Sequence, residues 1–307
     1  MEEQTIAVDG HHVRVTNWSK ILWPDGGVTK GDLMQYYLNA APLLLNHLKD
    51  RPLTVVRFPQ GAQGKGFYQK NCPQPAPDFV RTVNISTDPA KPEKAINYIL
   101  VENRATLLWL ANQSAIELHP WLSVHTRAEY PDWLVFDLDP GESTGFDDAR
   151  EIAFLIRRVL TELGLASYPK LSGATGIHIY VPILPQYSYA TTSKFVGDIG
   201  KIIESIHPNK TTTERLIKNR EGKVYIDHLQ NLPGKTVAAP YSPRPLPKAP
   251  VSTPVSWEEL ETVYPGEFHL GNIFERIGPG TKDPFAKLFT EGQPLEQALA
   301  NLGAPVG

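Results

Sequence analysis

The chain has 307 residues, 41% hydrophobic and 21% charged, with a formal net charge of −3. These are the proportions of a folded globular protein with one large core or two lobes, not of a disordered chain. So small a net charge announces no nucleic-acid partner, and any phosphate must be met by local basic groups.

The N-terminal stretch MEEQTIAVDG is acidic, unlike a signal peptide, and no apolar run approaches the roughly 18 residues of a membrane span. TKGDLMQYYLNAAPLLLNHL predicts a helix with Thr29 as its N-cap. PLTVVRFP and KGFYQKN predict two short strands in a hairpin around QGAQGKG. The lone cysteine, Cys72, follows; it excludes an intrachain disulfide and a cysteine-rich zinc site, and fits a reducing cytosol. TVNISTDPAKPEKAINYIL predicts a polar, proline-broken excursion and then a strand, and ENRATLLWLANQSAIEL a helix. DWLVFDLDP is a strand, FDDAREIAFLIRRVLTELGL a long amphipathic helix, and YPKLSGATGIHIYVPI strand, glycine turn, strand. YATTSKFVGDIGKIIESIHP is a helix and KVYIDHLQN a strand. Six prolines crowd into PYSPRPLPKAPVSTP, residues 240–254, which predicts an extended segment near polyproline II. It is either a linker or a strap over a folded body, from which Arg244 reaches into a site. SWEELETVY predicts a short helix capped by Ser256, and FERIGPGTKDPFAKLF leads to a C-terminal helix. Strands and helices mix without regular alternation, so the fold class is α/β with partly antiparallel sheets.

In WLVFDLDP two carboxylates interrupt an otherwise apolar strand. Asp137 and Asp139 share a face, about 6–7 Å apart along the chain, and Pro140 and Gly141 end the strand beside them. A buried, unpaired carboxylate is costly, so a counter-charge is needed. A divalent cation such as Mg²⁺ or Mn²⁺ would serve; the plainer alternative is a turn-forming Asp139 beside a salt-bridged Asp137. Asp227 closes a second apolar strand, and a third carboxylate lets two metals share ligands. SGATGIHIYVP sets Ser172, Gly173 and Gly176 in a tight turn before His178, an arrangement of backbone N–H, hydroxyl and imidazole donors suited to phosphate. Taken singly, the turn reads as an ordinary hairpin and His178 as a core histidine. The order DxD, SGxxGxH, D is far more specific than its parts.

That order resembles the archaeo-eukaryotic primase superfamily, and in detail the polymerase domain of bacterial DNA ligase D, which joins broken ends with Ku. FDLDP, SGATGIHIYVP, REGKVYIDHLQN and APYSPRPLPKAPVSTPVSWEEL carry the likeness, with VTNWSKILWPDGGVTKGDLMQYY and RFPQGAQGKGFYQK near the N-terminus. It runs from about Val13 to Phe289 and implies one primase-polymerase domain over residues 1–307, with a primase-like core of mixed, partly antiparallel sheets flanked by helices. By resemblance, Asp137, Asp139 and Asp227 hold two ions, Mn²⁺ or Mg²⁺, that activate a primer 3′-hydroxyl toward an NTP or dNTP. Ser172, Gly173, Gly176 and His178 meet the triphosphate, Arg244 clamps it, Gln230 supports the nucleotide from the strand of Asp227, and His119 in IELHP lies near the active site. Asn17, Lys20 and Lys30 match a pocket for the 5′-phosphate of a gap or break, and Phe67 and Tyr68 an aromatic pair that packs on the template strand. The plain readings are solvent-exposed lysines and strand core. Adjacent strand residues face one way only if the strand bulges. Arg220 lies in the polar loop HPNKTTTERLIKNREGK, which in the family shapes the pairing of broken ends.

Thr175 departs from the basic residue that some family members carry before the second glycine of the SGxxG turn, so a triphosphate contact is weaker there or supplied by another group. No KxDG adenylation motif is present, so the expectation is that sealing comes from a separate ligase in trans if the chain is full length, or that the chain is an excised domain. The implied function is templated filling of short gaps at DNA double-strand breaks during non-homologous end joining, preferring ribonucleotides, in the cytoplasm at the nucleoid and with no membrane partner. Competing readings are a primase that starts chains de novo, a catalytically silent DNA-end bridging protein, and a DxD glycosyltransferase, which leaves Asp227 and the SGxxGxH turn unexplained.

Overall fold

The computed structural model describes residues 2–86, 91–278 and 282–303. The chain divides into two compact units, each assembled from separated segments: 1–126, 236–252 and 268–281 in the first, and 127–235, 253–267 and 282–307 in the second. Among the described residues no helix is long and apolar enough to cross a membrane.

The first unit opens with the antiparallel hairpin β1 (Glu3–Val8) and β2 (His11–Thr16). Asp9 and Gly10 both take positive φ, the requirement of a tight two-residue turn between twisted strands. β3 (Ile21–Trp23) pairs with β4 (Val28–Thr29), which leads into helix α1 (Lys30–Leu48). Thr29 caps α1 as expected, in a reciprocal box with Asp32. β5 (Leu53–Arg57) and β6 (Phe67–Gln69) form the expected hairpin. β7 (Arg81–Ile85) and β8 (Ile96–Leu100) pair in register, so residues 82–85 are strand rather than excursion; residues 87–90 lie outside the described chain.

The helix predicted over residues 102–118 is two elements: α2 (Arg104–Asn112) and β9 (Ala115–Pro120). Ser114 at φ 56° breaks the helical path, and β9 pairs along β5. A short apolar run fits either period, and the vacant edge of β5 decided it.

The second unit holds a five-stranded sheet of β10 (Trp133–Asp139), β11 (Tyr168–Leu171), β12 (Ile177–Pro182), β13 (Thr211–Thr212) and β14 (Val224–Asp227), in the order β11-β12-β10-β14-β13. Only β13 and β14 run parallel. Helices α3 (Phe146–Glu162) and α4 (Tyr189–Ile206) complete the unit; α3 buries Ala149, Ile152, Ala153, Ile156 and Leu160 along one stripe.

The strand predicted over residues 223–231 stops at Asp227. Its side chain accepts from the Leu229 N–H at 2.9 Å and caps a 3₁₀ turn, His228–Asn231, so Gln230 is not on the strand. Asn231, at the end of that turn, takes over as partner to β10: its side chain accepts from Val135 N at 2.8 Å and donates to Val135 O at 2.7 Å.

The proline-rich segment is not an extended rod. Within the first unit, Pro243 bridges antiparallel to Val251, Arg244 N donates to Pro250 O at 2.8 Å, and the reversal passes through Lys248 and Ala249 at positive φ. Ser242 anchors it to β9, where its hydroxyl accepts from Leu118 N at 2.9 Å. Ser256 and Glu259 cap each other, but the expected helix is only the 3₁₀ turn Glu259–Glu261, cut short before Pro265. The C-terminal helix is Glu296–Asn301; residues 279–281 of the stretch before it are not among those described.

Candidate active site

In the second unit the registers align four polar side chains in one row. Lys170 on β11 stands opposite His178 on β12, His178 opposite Asp137 on β10, and Asp137 opposite Asp227 on β14. Directly opposed residues project from the same face, so the row crosses the sheet on one side. Asp139, two residues beyond Asp137, shares that face. Asp137 is 7% exposed, and His178 Nε2 lies 3.1 Å from its Oδ1. A neighbouring strand of the protein thus brings an imidazole nitrogen against the Asp137 carboxylate.

Asp227 is engaged by its own neighbourhood. Its Oδ1 accepts from Tyr225 Oη at 3.0 Å and from Leu229 N, and its Oδ2 from Gln230 Nε2 at 3.0 Å. The turn thus brings Gln230 to Asp227 although the two are not on one strand. Arg220 stacks on Tyr225, its Cζ 3.6 Å from the ring centroid. Burial first, and then the charge and hydrogen bond of Asp227, push the Tyr225 phenol upward, so it stays a proton donor. Arg220 lines two hollows, one of about 290 Å³ that includes Asp227 and Gln230, the other of about 690 Å³ that includes Asp139 and Lys223.

Ser172 organises the glycine turn from inside. Its hydroxyl oxygen accepts from Ala174 N and Gly176 N, both at 3.1 Å, and its own N–H donates to Gly176 O at 3.0 Å. Gly173 has φ 75°. Gly176 is required for a different reason: a Cβ there would overlap the carbonyl oxygen of Leu138, between the two aspartates. The turn is thereby pressed against the carboxylate strand.

The three aspartates offer only oxygen, the donor set of a hard divalent cation, and Asp137 and Asp227 already face each other in register. In donor chemistry and register they fit such an ion. Among the described residues, however, no three His, Cys, Asp or Glu side chains stand arranged to hold a metal. Asp227 is held by its cap, Tyr225 and Gln230.

The first unit carries the other candidates. Lys20 N donates to Asn17 O at 3.1 Å, and Lys30 N to Lys20 O at 2.8 Å, which ties the three residues together by backbone. The Lys20 ammonium donates to Pro59 O. Lys30 is buried; that burial, with Lys20 and Arg57 nearby, brings its pKa down to about 8. An anion beside it would favour the charged form of this lysine. Phe67 and Tyr68 are 44% and 69% exposed. β6 pairs with β5 without a bulge, so the two rings point to opposite faces. Phe67 lies under Arg57, Cζ 5.5 Å from its centroid, and Tyr68 meets His119 edge-on at 6.1 Å.

Arg244 is not extended into open space. Its Nε donates to Glu117 Oε1 at 2.6 Å, while His119 Nε2 lies 3.1 Å from Glu117 Oε2. Burial raises the Glu117 pKa, but the bonds from His119 and Arg244 outweigh it and hold the carboxyl below its ordinary value. Trp23 Nε1 donates to the Arg244 carbonyl at 3.0 Å and fixes the strap on a second side.

Glu117, Arg57, Tyr225 and Lys170 escaped the sequence reading. Glu117 falls in the segment predicted as helix, so its place in an apolar strand shows only once β9 is known. Tyr225 and Lys170 look like ordinary strand residues until the register is known.

Residues 29–285 match the model of the LigD primase-polymerase domain. The chain is 37% identical over 268 residues to the bifunctional non-homologous end joining protein LigD of Bacillus subtilis, covering 86% of this chain and 42% of that protein. It is 33% identical over 267 residues to the multifunctional LigD of Mycolicibacterium smegmatis, covering 86% of this chain and 34% of the other. The chain therefore spans less than half the length of these relatives. Among solved structures, the polymerase domain of Mycobacterium tuberculosis ligase D in complex with DNA superposes with a TM-score of 0.82 at 28% identity, covering 91% of this chain and 98% of that one.

Proposed function

Because the chain belongs to the LigD primase-polymerase family, we propose that it is a template-dependent nucleotidyltransferase that fills short gaps at DNA double-strand breaks and prefers ribonucleotides. The observation that carries this reading is the in-register pair Asp137 and Asp227, the first of them buried, with His178 beside it. Asp137, Asp139 and Asp227 would hold Mn²⁺ or Mg²⁺, two ions that when bound supply Lewis-acid activation of a primer 3′-hydroxyl.

The remaining roles fall to the chain's own groups. In the second unit, the turn Ser172–Gly176 and His178 receive the triphosphate, Gln230 steadies Asp227 until substrate arrives, and Arg220 engages the broken ends. In the first unit, Asn17, Lys20 and Lys30 take the 5′-phosphate of the downstream strand, Phe67 and Tyr68 offer exposed rings to DNA from opposite faces of β6, and Arg244 and His119 contact the nucleotide. Partners under this reading are gapped or broken DNA, Ku and a DNA ligase, at the nucleoid in the cytoplasm.

Primer extension across a one-nucleotide gap bearing a 5′-phosphate tests it, with NTPs against dNTPs and Mn²⁺ against Mg²⁺. Templated addition favouring NTP and Mn²⁺ supports the proposal. No addition under any combination, with DNA ends still bound, replaces it with an end-bridging protein.

A further inference from the structure

Tyr225 and Asp227 are two residues apart on β14, so their side chains leave the same face of the sheet, and Tyr225 stands opposite Asp139 in the register. The tyrosine is 2% exposed. A phenol that deep needs an acceptor for its O–H, and among the described residues that acceptor is Asp227 Oδ1, at 3.0 Å. The ring is fixed from outside the strand. The Arg220 guanidinium stacks on it, Cζ 3.6 Å from the centroid, and is itself held by donating to Glu214 O at 3.2 Å and Arg215 O at 2.9 Å.

An ionised carboxylate only accepts, and each of its oxygens offers about two lone-pair sites. Oδ1 of Asp227 has both filled, by Tyr225 Oη and by Leu229 N at 2.9 Å. Oδ2 has one filled, by Gln230 Nε2 at 3.0 Å, and one left. Oδ1 is thus closed by a backbone N–H and a clamped, buried ring, whereas Oδ2 is shared only with an amide side chain that lines the same hollow of about 290 Å³. The two oxygens are not equivalent toward a cation.

Resting on the reading that Asp227 takes a divalent cation, we propose that Tyr225 is a positioning residue: with Leu229 N it pins Oδ1, so that Asp227 meets the cation through Oδ2 alone. Tyr225 touches neither cation nor substrate, and Gln230 is the donor that gives way. Losing the phenol O–H has two opposed effects. It leaves more negative charge on the carboxylate, which favours a cation, and it frees the carboxylate to turn about its Cβ–Cγ bond. Orientation wins at metal ligands, where removing an outer hydrogen-bond partner typically weakens binding about 10–100-fold. Leu229 N stays in place, so the low end applies here.

The test titrates Mn²⁺ alone into the parent protein, Asp227→Asn, Tyr225→Phe and Gln230→Ala, with the free ion measured by EPR. Tyr225→Phe keeps the ring beneath Arg220, so its metal-free unfolding midpoint is expected near the parent's while the Kd for Mn²⁺ rises about tenfold. Gln230→Ala is expected to bind at least as tightly as the parent. A parental Kd in Tyr225→Phe, with binding lost in Asp227→Asn, overturns the positioning role and leaves the metal reading standing. A collapse of the metal-free midpoint in Tyr225→Phe makes the residue structural and overturns that role too. An equal loss of affinity in Gln230→Ala overturns the choice of Oδ2. Equal binding by the parent and Asp227→Asn overturns the metal reading at Asp227, and the proposal with it.

Discussion

Asp137 on β10 and Asp227 on β14 stand directly opposite each other in an antiparallel register, and His178 flanks Asp137 from the other side. Two carboxylates on adjacent strands repel at this range unless a positive or protonated group intervenes. His178, the donors around Asp227 and a bound cation can each serve, and only the cation is free to leave and return with substrate.

Replacing either carboxylate by its amide should separate charge from shape. Asp137→Asn and Asp227→Asn are expected to lower primer extension by about 10²–10³-fold or more, the scale for losing a group that stabilises transition-state charge. Gel-shift affinity for gapped DNA should stay near the parent. Retained synthesis in both variants would remove the metal assignment.

Lys30 gives the 5′-phosphate reading a pH signature. In the folded protein its proton leaves near pH 8, and in the unfolded chain only in the ordinary lysine range. Between those values the unfolded chain binds more protons, so stability contributed by this group rises with pH, and the cost of keeping it charged is fully present below about 8. A phosphate selects the charged form, so affinity for a 5′-phosphorylated end should fall as pH rises through that value. Fluorescence anisotropy with phosphorylated and hydroxyl ends checks this; Lys20→Ala combined with Lys30→Ala should abolish the difference between the two ends.

Gly176→Ala places a Cβ against the Leu138 carbonyl oxygen, an atom of the strand backbone with little freedom to yield. Destabilisation of roughly 2 kcal/mol or more is expected from this overpacking. Chemical denaturation should show a lowered midpoint, and extension activity should fall with it, because the displaced strand carries both Asp137 and Asp139. A parental midpoint would show that the turn relaxes freely.

Asn231→Ala leaves the Val135 N–H and C=O without their side-chain partner inside the unit. Two orphaned buried backbone groups cost about 2–4 kcal/mol together. Thermal unfolding should register a drop of several degrees. Asn231→Asp, which buries a carboxylate against the Val135 carbonyl oxygen, should be at least as destabilising as Asn231→Ala.

Much of this protein is legible in its sequence, for reasons of local physics. The period of α1, α3 and α4, the Thr29 cap and the apolar runs of β10 and β12 depend on neighbours within a few residues, and those neighbours are in the string. Carboxylates inside the apolar strand of β10 advertise chemistry, because such placement is too costly to be idle. Local signals failed where a distant edge or side chain had the deciding vote. Residues 115–120 became strand because one edge of β5 was left to pair, Gln230 left the strand because Asp227 caps a turn, and the proline segment folded back because Pro243 found Val251. Only register could show that Lys170, His178, Asp137 and Asp227 form one row, or that Glu117 joins His119 to Arg244 across 127 positions of chain. Residue types and their periods belong to the sequence; which charge meets which belongs to the tertiary structure, because a pairing between strands is a long-range contact that no local window contains.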